Sequence, residues 1–163
     1  MPKRGKVKKN MELKKYLLFV LMLSFAKFSY ADIVKPSENL TAYDVVKIQL
    51  TALKNNNKPR KNTGIKQTWV FAHPENKKYT GPYERFEKML LGAQYNILLN
   101  HRSHKIKLVT NTLSTYIYNI ELISKDKKMY FYEWHLEKST IEECNSCWFT
   151  TIVSPPTDKG NTI

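Results

Sequence analysis

Histidine, arginine and aromatic residues recur in the middle of the chain, in stretches that should form loops at one end of the fold. An arginine beside imidazoles and aromatic rings could hold a small anion, because the guanidinium offers a forked pair of donors. Loops often carry binding residues. The candidate ligand-binding residues are His73, Tyr79, Arg85, His101, His104 and Trp134. The structural alternative is that Arg85 pairs with Glu75 or a carbonyl and that His73 caps the preceding helix.

Two histidines and one carboxylate–imidazole pair could support metal or acid–base chemistry. His101 and His104 have nearly the spacing of a metal-binding pair, but no helix or nearby carboxylate completes the ligand set. Glu133 and His135 share one face of a predicted strand and could transfer a proton, although that face should meet solvent. We therefore predict no metal, no cofactor and no catalytic residue.

Cys144 and Cys147 form a C-x-x-C motif between two predicted strands. Haem attachment would require a histidine next, and position 148 is Trp. Redox catalysis usually places the first cysteine at a helix N-terminus, and a zinc site would need a second pair. A local structural disulfide is favoured in an oxidising compartment, with free thiols or a redox pair as the alternatives.

The first 31 residues have the features of an export signal. A basic head is followed by an apolar run from Tyr16 to Ala26, too short for the roughly 20 residues that cross a bilayer. Small residues then precede a cleavage position after Ala31. We expect a periplasmic or secreted mature protein without stable membrane insertion; a retained anchor or a core helix is the alternative. Met11 is an alternative start to Met1.

Length and composition indicate one globular domain after this signal. The chain has 163 residues, of which 42% are hydrophobic. We assign residues 32–163 to a single domain, with a core at about 38–153 and a polar C-terminal tail at 154–163. The formal charge is +13, but the lysines of the mature part are scattered, so we predict no nucleic-acid partner.

Helical spacing dominates the first half of this domain. Thr41 and Asp44 form a capping box, and the apolar repeat that follows predicts a helix over 42–54. A second helix is expected from about 64 to 72, because Pro74 disfavours continuation. A third should begin at Pro82 and stop at Gly92.

From His104 onward the apolar period changes to two, which predicts strands at about 105–109, 113–123, 128–137 and 148–153. A three-residue loop at 125–127 would place Tyr118 opposite Trp134, with apolar or aromatic residues along one face. A two-residue loop would oppose Tyr118 and His135, so burial selects the first register. Helices followed by a curved antiparallel sheet predict an α+β fold.

Two motifs, F-A-x-P-x-N at 71–76 and T-G-P-x-x-R-F at 80–86, suggest a family. With the helix before them, residues 38–153 resemble the uncharacterised family called domain of unknown function 4864, which is similar to the nuclear-transport-factor-2-like or ketosteroid-isomerase-like superfamily. The resemblance implies a cone-shaped, cystatin-like sheet that encloses a pocket, and no assigned activity. Acid–base enzymes of that superfamily place an Asp in the pocket. No Asp of this chain falls on an inward strand position.

These observations support two function hypotheses. The first is a non-catalytic binding or assembly module with a pocket at the mouth of the cone, and the alternative is an acid–base pocket enzyme, isomerase- or hydrolase-like, acting on a small hydrophobic or acidic compound. An inward carboxylate or histidine would favour the enzyme, and a pocket plugged by aromatic residues the module. The expected partners are a small-molecule ligand and a second copy bound through the outer sheet face.

Overall fold

The computed structural model describes residues 32–161. The predicted signal peptide, its cleavage position and both candidate start residues lie outside the described residues. Four helices precede a five-stranded antiparallel sheet and pack against it, which confirms the predicted α+β class. The helices are α1 (Ala42–Lys54), α2 (Thr63–Val70), α3 (Pro74–Thr80) and α4 (Tyr83–Leu91); the strands are β1 (Ser103–Asn111), β2 (Thr115–Ile123), β3 (Lys128–Lys138), β4 (Trp148–Val153) and β5 (Thr157–Asn161). Within 32–161, no helix combines the length and the apolar character needed to cross a membrane.

Helix α1 begins at the predicted capping box. The Thr41 hydroxyl accepts a hydrogen bond from the Asp44 amide at 3.1 Å, and the Asp44 carboxylate accepts one from the Thr41 amide at 3.0 Å. These bonds satisfy donors that a helix N-terminus otherwise leaves open. The Thr41 hydroxyl also donates to the Asp44 carboxylate at 2.6 Å, and this bond, together with the one from the Thr41 amide, lowers the pKa of Asp44. Val45, Leu50 and Leu53 are fully buried, so the apolar stripe of α1 faces the core.

Helix α2 packs unusually close to the end of α1. Gly64 permits this, because a Cβ there would collide with the Ala52 carbonyl and lie 2.9 Å from Asn56 Cα. The buried Asn56 side chain also accepts a hydrogen bond from the Ile65 amide at 3.0 Å, and thereby caps α2 from outside the helix. Glycine and asparagine together fix the contact between the two helices.

Helix α3 was not predicted from the sequence. Pro74 begins this helix instead of only ending the one before it, and His73 is its N-cap, with Nδ1 accepting from the Glu75 amide at 3.2 Å. The expected role of His73 as a cap of the preceding helix is therefore wrong. Helix α4 starts one residue later than predicted, with Pro82 just before it and Gly92 just after it.

The sheet has the predicted register between β2 and β3. Tyr118 lies opposite Trp134 and Ile120 opposite Tyr132, and all four are buried against the helices. The neighbouring strand β1 pairs with β2, and β4 and β5 both pair with β3, at its C-terminal and N-terminal halves respectively. Apolar alternation thus places one face of the hairpin on the core.

Strand β5 occupies the region that the sequence suggested to be a polar tail. Residues 157–161 contain almost no apolar side chains, so periodicity gives no strand signal there. Pro155 and Pro156 separate β5 from β4, because proline cannot donate to the strand ladder. Main-chain pairing with β3 makes the segment a strand.

Candidate functional site

A pocket of about 240 Å³ lies between the helices and strand β4. We call it the helix–sheet pocket. Helices α1 to α4, the segment after α4, strand β4 and one residue of β3 contribute to its walls. The lining residues are Gln49, Leu53, Thr68, Ala72, Asn76, Thr80, Phe86, Met89, Leu90, Tyr95, Leu98, Trp134, Thr150, Thr151, Ile152 and Val153.

Three side chains at this pocket form a buried hydrogen-bond network across the fold. Gln49 Oε1 accepts from Trp134 Nε1 at 3.0 Å and from the Thr150 hydroxyl at 2.7 Å. Gln49 Nε2 donates to the Thr68 carbonyl at 3.2 Å, so the network joins α1, α2, β3 and β4. Gln49 and Trp134 are each 1% exposed. Bonds buried this deeply cost free energy when one partner is removed.

The partners of Gln49 determine which way its amide group faces. An indole N–H can only donate and a carbonyl can only accept, so the amide oxygen must face Trp134 and the nitrogen must face Thr68. The amide nitrogen carries two hydrogens, and the described contacts use one of them. Gln49 lines the pocket, so its amide is a polar group on the pocket wall.

No residue that lines the pocket carries a charge at neutral pH. The lining contains no Asp, Glu, Lys, Arg or His, and its titratable group is the phenol of Tyr95. That hydroxyl donates to the Val153 carbonyl at 3.2 Å, and burial raises its pKa. The amide of Asn76 donates to the Thr151 carbonyl, so this polar side chain is also engaged by the protein.

Of the six candidate ligand-binding residues, Trp134 lines this pocket. His73 is half-buried at the start of α3, edge-on to Phe149 with ring centroids 6.1 Å apart. The side chain of Tyr79 is 75% exposed, and Arg85 is exposed on α4. No described hydrogen bond or ring contact joins these three residues to one another or to the remaining two histidines.

The structure brings His101 and His104 together, before and within β1. His101 Nδ1 lies 2.7 Å from the Leu98 carbonyl, so that nitrogen carries the proton. His101 Nε2 then accepts from His104 Nδ1, also at 2.7 Å. Burial lowers the pKa of His101 to about 4 and also lowers that of His104. This geometry describes a neutral, hydrogen-bonded pair.

The other two sequence motifs lie apart from the helix–sheet pocket. Glu133 and His135 contact each other at 3.3 Å at the outer sheet face, with Glu133 exposed. The sulfur atoms of Cys144 and Cys147 are at disulfide distance, with Cα atoms 5.5 Å apart. Within the described part of the chain, no three His, Cys, Asp or Glu side chains converge on a metal-sized position.

Sequence reasoning did not identify Gln49 and Thr150, which build the polar part of the pocket. Gln49 left a signal, since it is a polar residue on the apolar stripe of a confidently placed helix. Thr150 left none, because threonine is common in strands. Their bond spans 101 positions in sequence.

No family model, curated protein or solved structure matches this chain.

Proposed function

We propose that this protein is an exported, non-catalytic binding module that holds a small uncharged molecule in the helix–sheet pocket. The observation that carries the proposal is the Gln49 amide at the pocket wall, oriented by Trp134 and Thr68. We infer that its second N–H donates to the ligand. A ligand that accepts this hydrogen bond gains more than it would in water, because the surroundings are largely apolar.

The size and charge of the pocket define the class of ligand. A cavity of about 150 Å³ suits benzene, and drug-sized molecules occupy roughly 300 to 1,000 Å³. A volume of about 240 Å³ therefore suits a compact molecule between these sizes. Since no charged side chain lines the pocket, an ionised ligand would be buried without a counter-charge. We infer a neutral, mostly apolar molecule with one carbonyl or ether oxygen.

The same lining favours a binding module over an acid–base enzyme. Proton transfer at neutral pH needs a group whose pKa lies near the working pH, usually a histidine or carboxylate. The inward positions of β2 and β3 hold Tyr118, Ile120, Tyr132, Trp134 and Leu136, which are aromatic or aliphatic. The aromatic side chains fill the space that an inward acid or base would need.

We also propose that the sheet is the cone of the nuclear-transport-factor-2-like superfamily, with domain of unknown function 4864 as the family. Irregular register occurs between Leu108 and Thr110, between His135 and Leu136, and between Lys128 and Tyr130. Such bulges bend strands and curve a sheet, which supports the proposal. An experimental structure whose sheet is flat would contradict it.

The expected homodimer remains part of the proposal. Its surface would be the outer sheet face, where Lys105 and Lys107 pair with Glu121. This face carries charged side chains, whereas stable dimer interfaces are largely apolar, so we expect a weak dimer. Sedimentation velocity across a range of protein concentrations tests this, and a monomer at every concentration would contradict it.

A thermal-shift screen against neutral compounds of about ten non-hydrogen atoms tests the binding proposal, because a ligand stabilises the folded state by mass action. Met89→Trp should fill the pocket and abolish the shift, because Met89 lines it. Leu91→Trp is the matched control, since Leu91 is on the same helix, exposed and outside the pocket. A hit that binds both variants equally would place the site elsewhere.

A further inference from the structure

A second concave surface, here called the aromatic cleft, lies between the start of α1, strand β2 and the start of β4. Its volume is about 510 Å³, and none of its lining residues lines the helix–sheet pocket. Four aromatic side chains form the floor and wall: Tyr43, Tyr116, Tyr118 and Trp148. The four rings form a continuous chain of contacts. The ring centroids are 6.3 Å apart for Tyr43–Tyr118, 6.0 Å for Tyr116–Tyr118 and 5.0 Å for Tyr116–Trp148.

Two mostly buried residues of the cleft have hydrogen-bond donors that no group within residues 32–161 uses. Tyr118 is 4% exposed and Trp148 is 8% exposed, yet neither the phenol nor the indole N–H has a partner among residues 32–161. Buried polar groups are normally satisfied. Within that range, the side-chain atoms sealed from solvent without a partner are Asn119 Oδ1 and the Tyr132 hydroxyl. The Tyr118 hydroxyl and the Trp148 indole N–H are not among these sealed atoms, so both still reach solvent. Since both residues line the cleft, we infer that their donors face it.

The charges at the rim indicate a neutral ligand. Glu38 lies on the α1 side, and Lys138 lies on the other, with its Nζ 5.6 Å from the centre of the Trp148 ring. These two opposite charges offset each other, so the rim offers no net charge that would attract an anion or a cation. A neutral molecule with hydroxyl groups can donate to Glu38 and accept from Lys138 and the phenols.

We propose that the aromatic cleft is a saccharide-binding site. A sugar ring presents apolar C–H faces, which pack on aromatic rings, and hydroxyl groups around its edge, which serve as both donors and acceptors. The cleft supplies the matching surfaces: contiguous rings, unused donors and one acceptor carboxylate. Burial raises the pKa of Tyr118 to about 12, so its phenol stays a donor throughout the neutral range.

The test uses the full chain and three neutral probes: cellotetraose, maltotetraose and the tetramer of N-acetylglucosamine. We expect at least one to bind with a Kd of about 1 mM or tighter by isothermal titration calorimetry. In NMR spectra, the indole N–H signal of Trp148 should shift on binding while that of Trp134 does not. This readout separates the cleft from the helix–sheet pocket, so the failure of either proposal can be recognised.

Tyr118→Phe is the decisive variant, because the lost hydroxyl has no partner among the described residues and the ring remains. It should bind the saccharide about three- to tenfold more weakly, which corresponds to one hydrogen bond, and keep the wild-type unfolding midpoint. Tyr79→Phe makes the same chemical change at an exposed position and should bind normally. The proposal is overturned if no saccharide binds or if Tyr118→Phe binds as tightly as wild type. It is also overturned if 4-hydroxybenzoate, tested as an aromatic anion, binds at the cleft and the saccharides do not.

Discussion

The helix–sheet pocket and the aromatic cleft each have a tryptophan in their wall, but they use its N–H in opposite ways. In the pocket, Trp134 donates to Gln49 and Thr150, and those bonds link helices to strands. In the cleft, the donors of Trp148 and Tyr118 have no partner among residues 32–161. The polar groups of the pocket therefore stabilise the fold first, and we propose that one N–H of Gln49 serves a ligand. Those of the cleft are free for binding, so the same kind of substitution should have different results at the two sites.

The largest effect is expected from Gly64→Ala, which disturbs the packing of α2 against the end of α1 beside the pocket. The added methyl group would collide with the backbone of α1, so α1 and α2 must separate. We expect a loss of about 3 kcal/mol in the free energy of unfolding, measured by urea denaturation. Gly92→Ala is the control, with its nearest neighbour at 3.2 Å, and should lose far less. If the two variants lost the same unfolding free energy, the close approach of α1 and α2 would not require glycine at position 64.

A pH titration of the unfolding free energy tests whether the histidine pair, His101 and His104, is neutral in the folded protein. The folded-state pKa of His101 is about 4, below the ordinary 6.5, so the unfolded chain binds more protons between these values. The free energy of unfolding should be highest above pH 6.5, fall by the order of 2 to 3 kcal/mol towards pH 4, and then level off for this group. His101→Asn should flatten the curve, since it removes the titrating ring. Stability that stays constant from pH 6.5 to 4 would contradict the neutral pair.

Gln49→Met tests the first half of the comparison. Methionine has a similar length but no amide, so the Thr150 hydroxyl loses its acceptor and the Thr68 carbonyl keeps only the bond from the Phe71 amide. Trp134 keeps one bond, to the Thr150 hydroxyl. We expect a loss of about 2 kcal/mol in unfolding free energy together with loss of pocket ligands. Saccharide binding at the cleft should persist. If Tyr118→Phe cost as much stability as Gln49→Met, the contrast between the two sites would be wrong.

The smallest effect on stability is expected from reduction of Cys144 and Cys147. Their loop is four residues long, so the usual loop-entropy estimate is below about 2 kcal/mol. Ser146 and Trp148, beside Cys147, line the cleft. Calorimetry with and without dithiothreitol should therefore show weaker saccharide binding and unchanged pocket binding. Rapid alkylation of the reduced thiols below pH 7 would instead indicate redox function.

Local patterns predicted a large part of this fold. The capping box at Thr41 and Asp44 marked the start of α1, and alternation of apolar residues selected the register of the hairpin from β2 to β3. Helix α3 was missed although its signals, a proline at the first position and a histidine cap, were present in the sequence. Strand β5 could not be predicted, because main-chain pairing with β3 defines it.

The candidate sites were less predictable than the fold. Arg85 and the histidines were grouped because loops were expected to converge. The structure brings His101 and His104 together, but no described contact joins them to His73 or Arg85. The residues that meet at the pocket, Gln49, Trp134 and Thr150, are ordinary members of a helix and two strands. Nothing in their local sequence specifies that they touch.

By itself, the sequence determined the elements whose signals are local: the first helix, the central hairpin with its register, and the cysteine pair three positions apart. The tertiary structure alone decided which polar groups are hydrogen-bonded within the protein and which are left for a ligand. That depends on side chains as far apart as 85 and 101 positions, whose contacts are set by how the helices pack on the sheet. A hydrogen-bond donor stabilises the fold where packing places an acceptor beside it, and it can bind a ligand where packing does not.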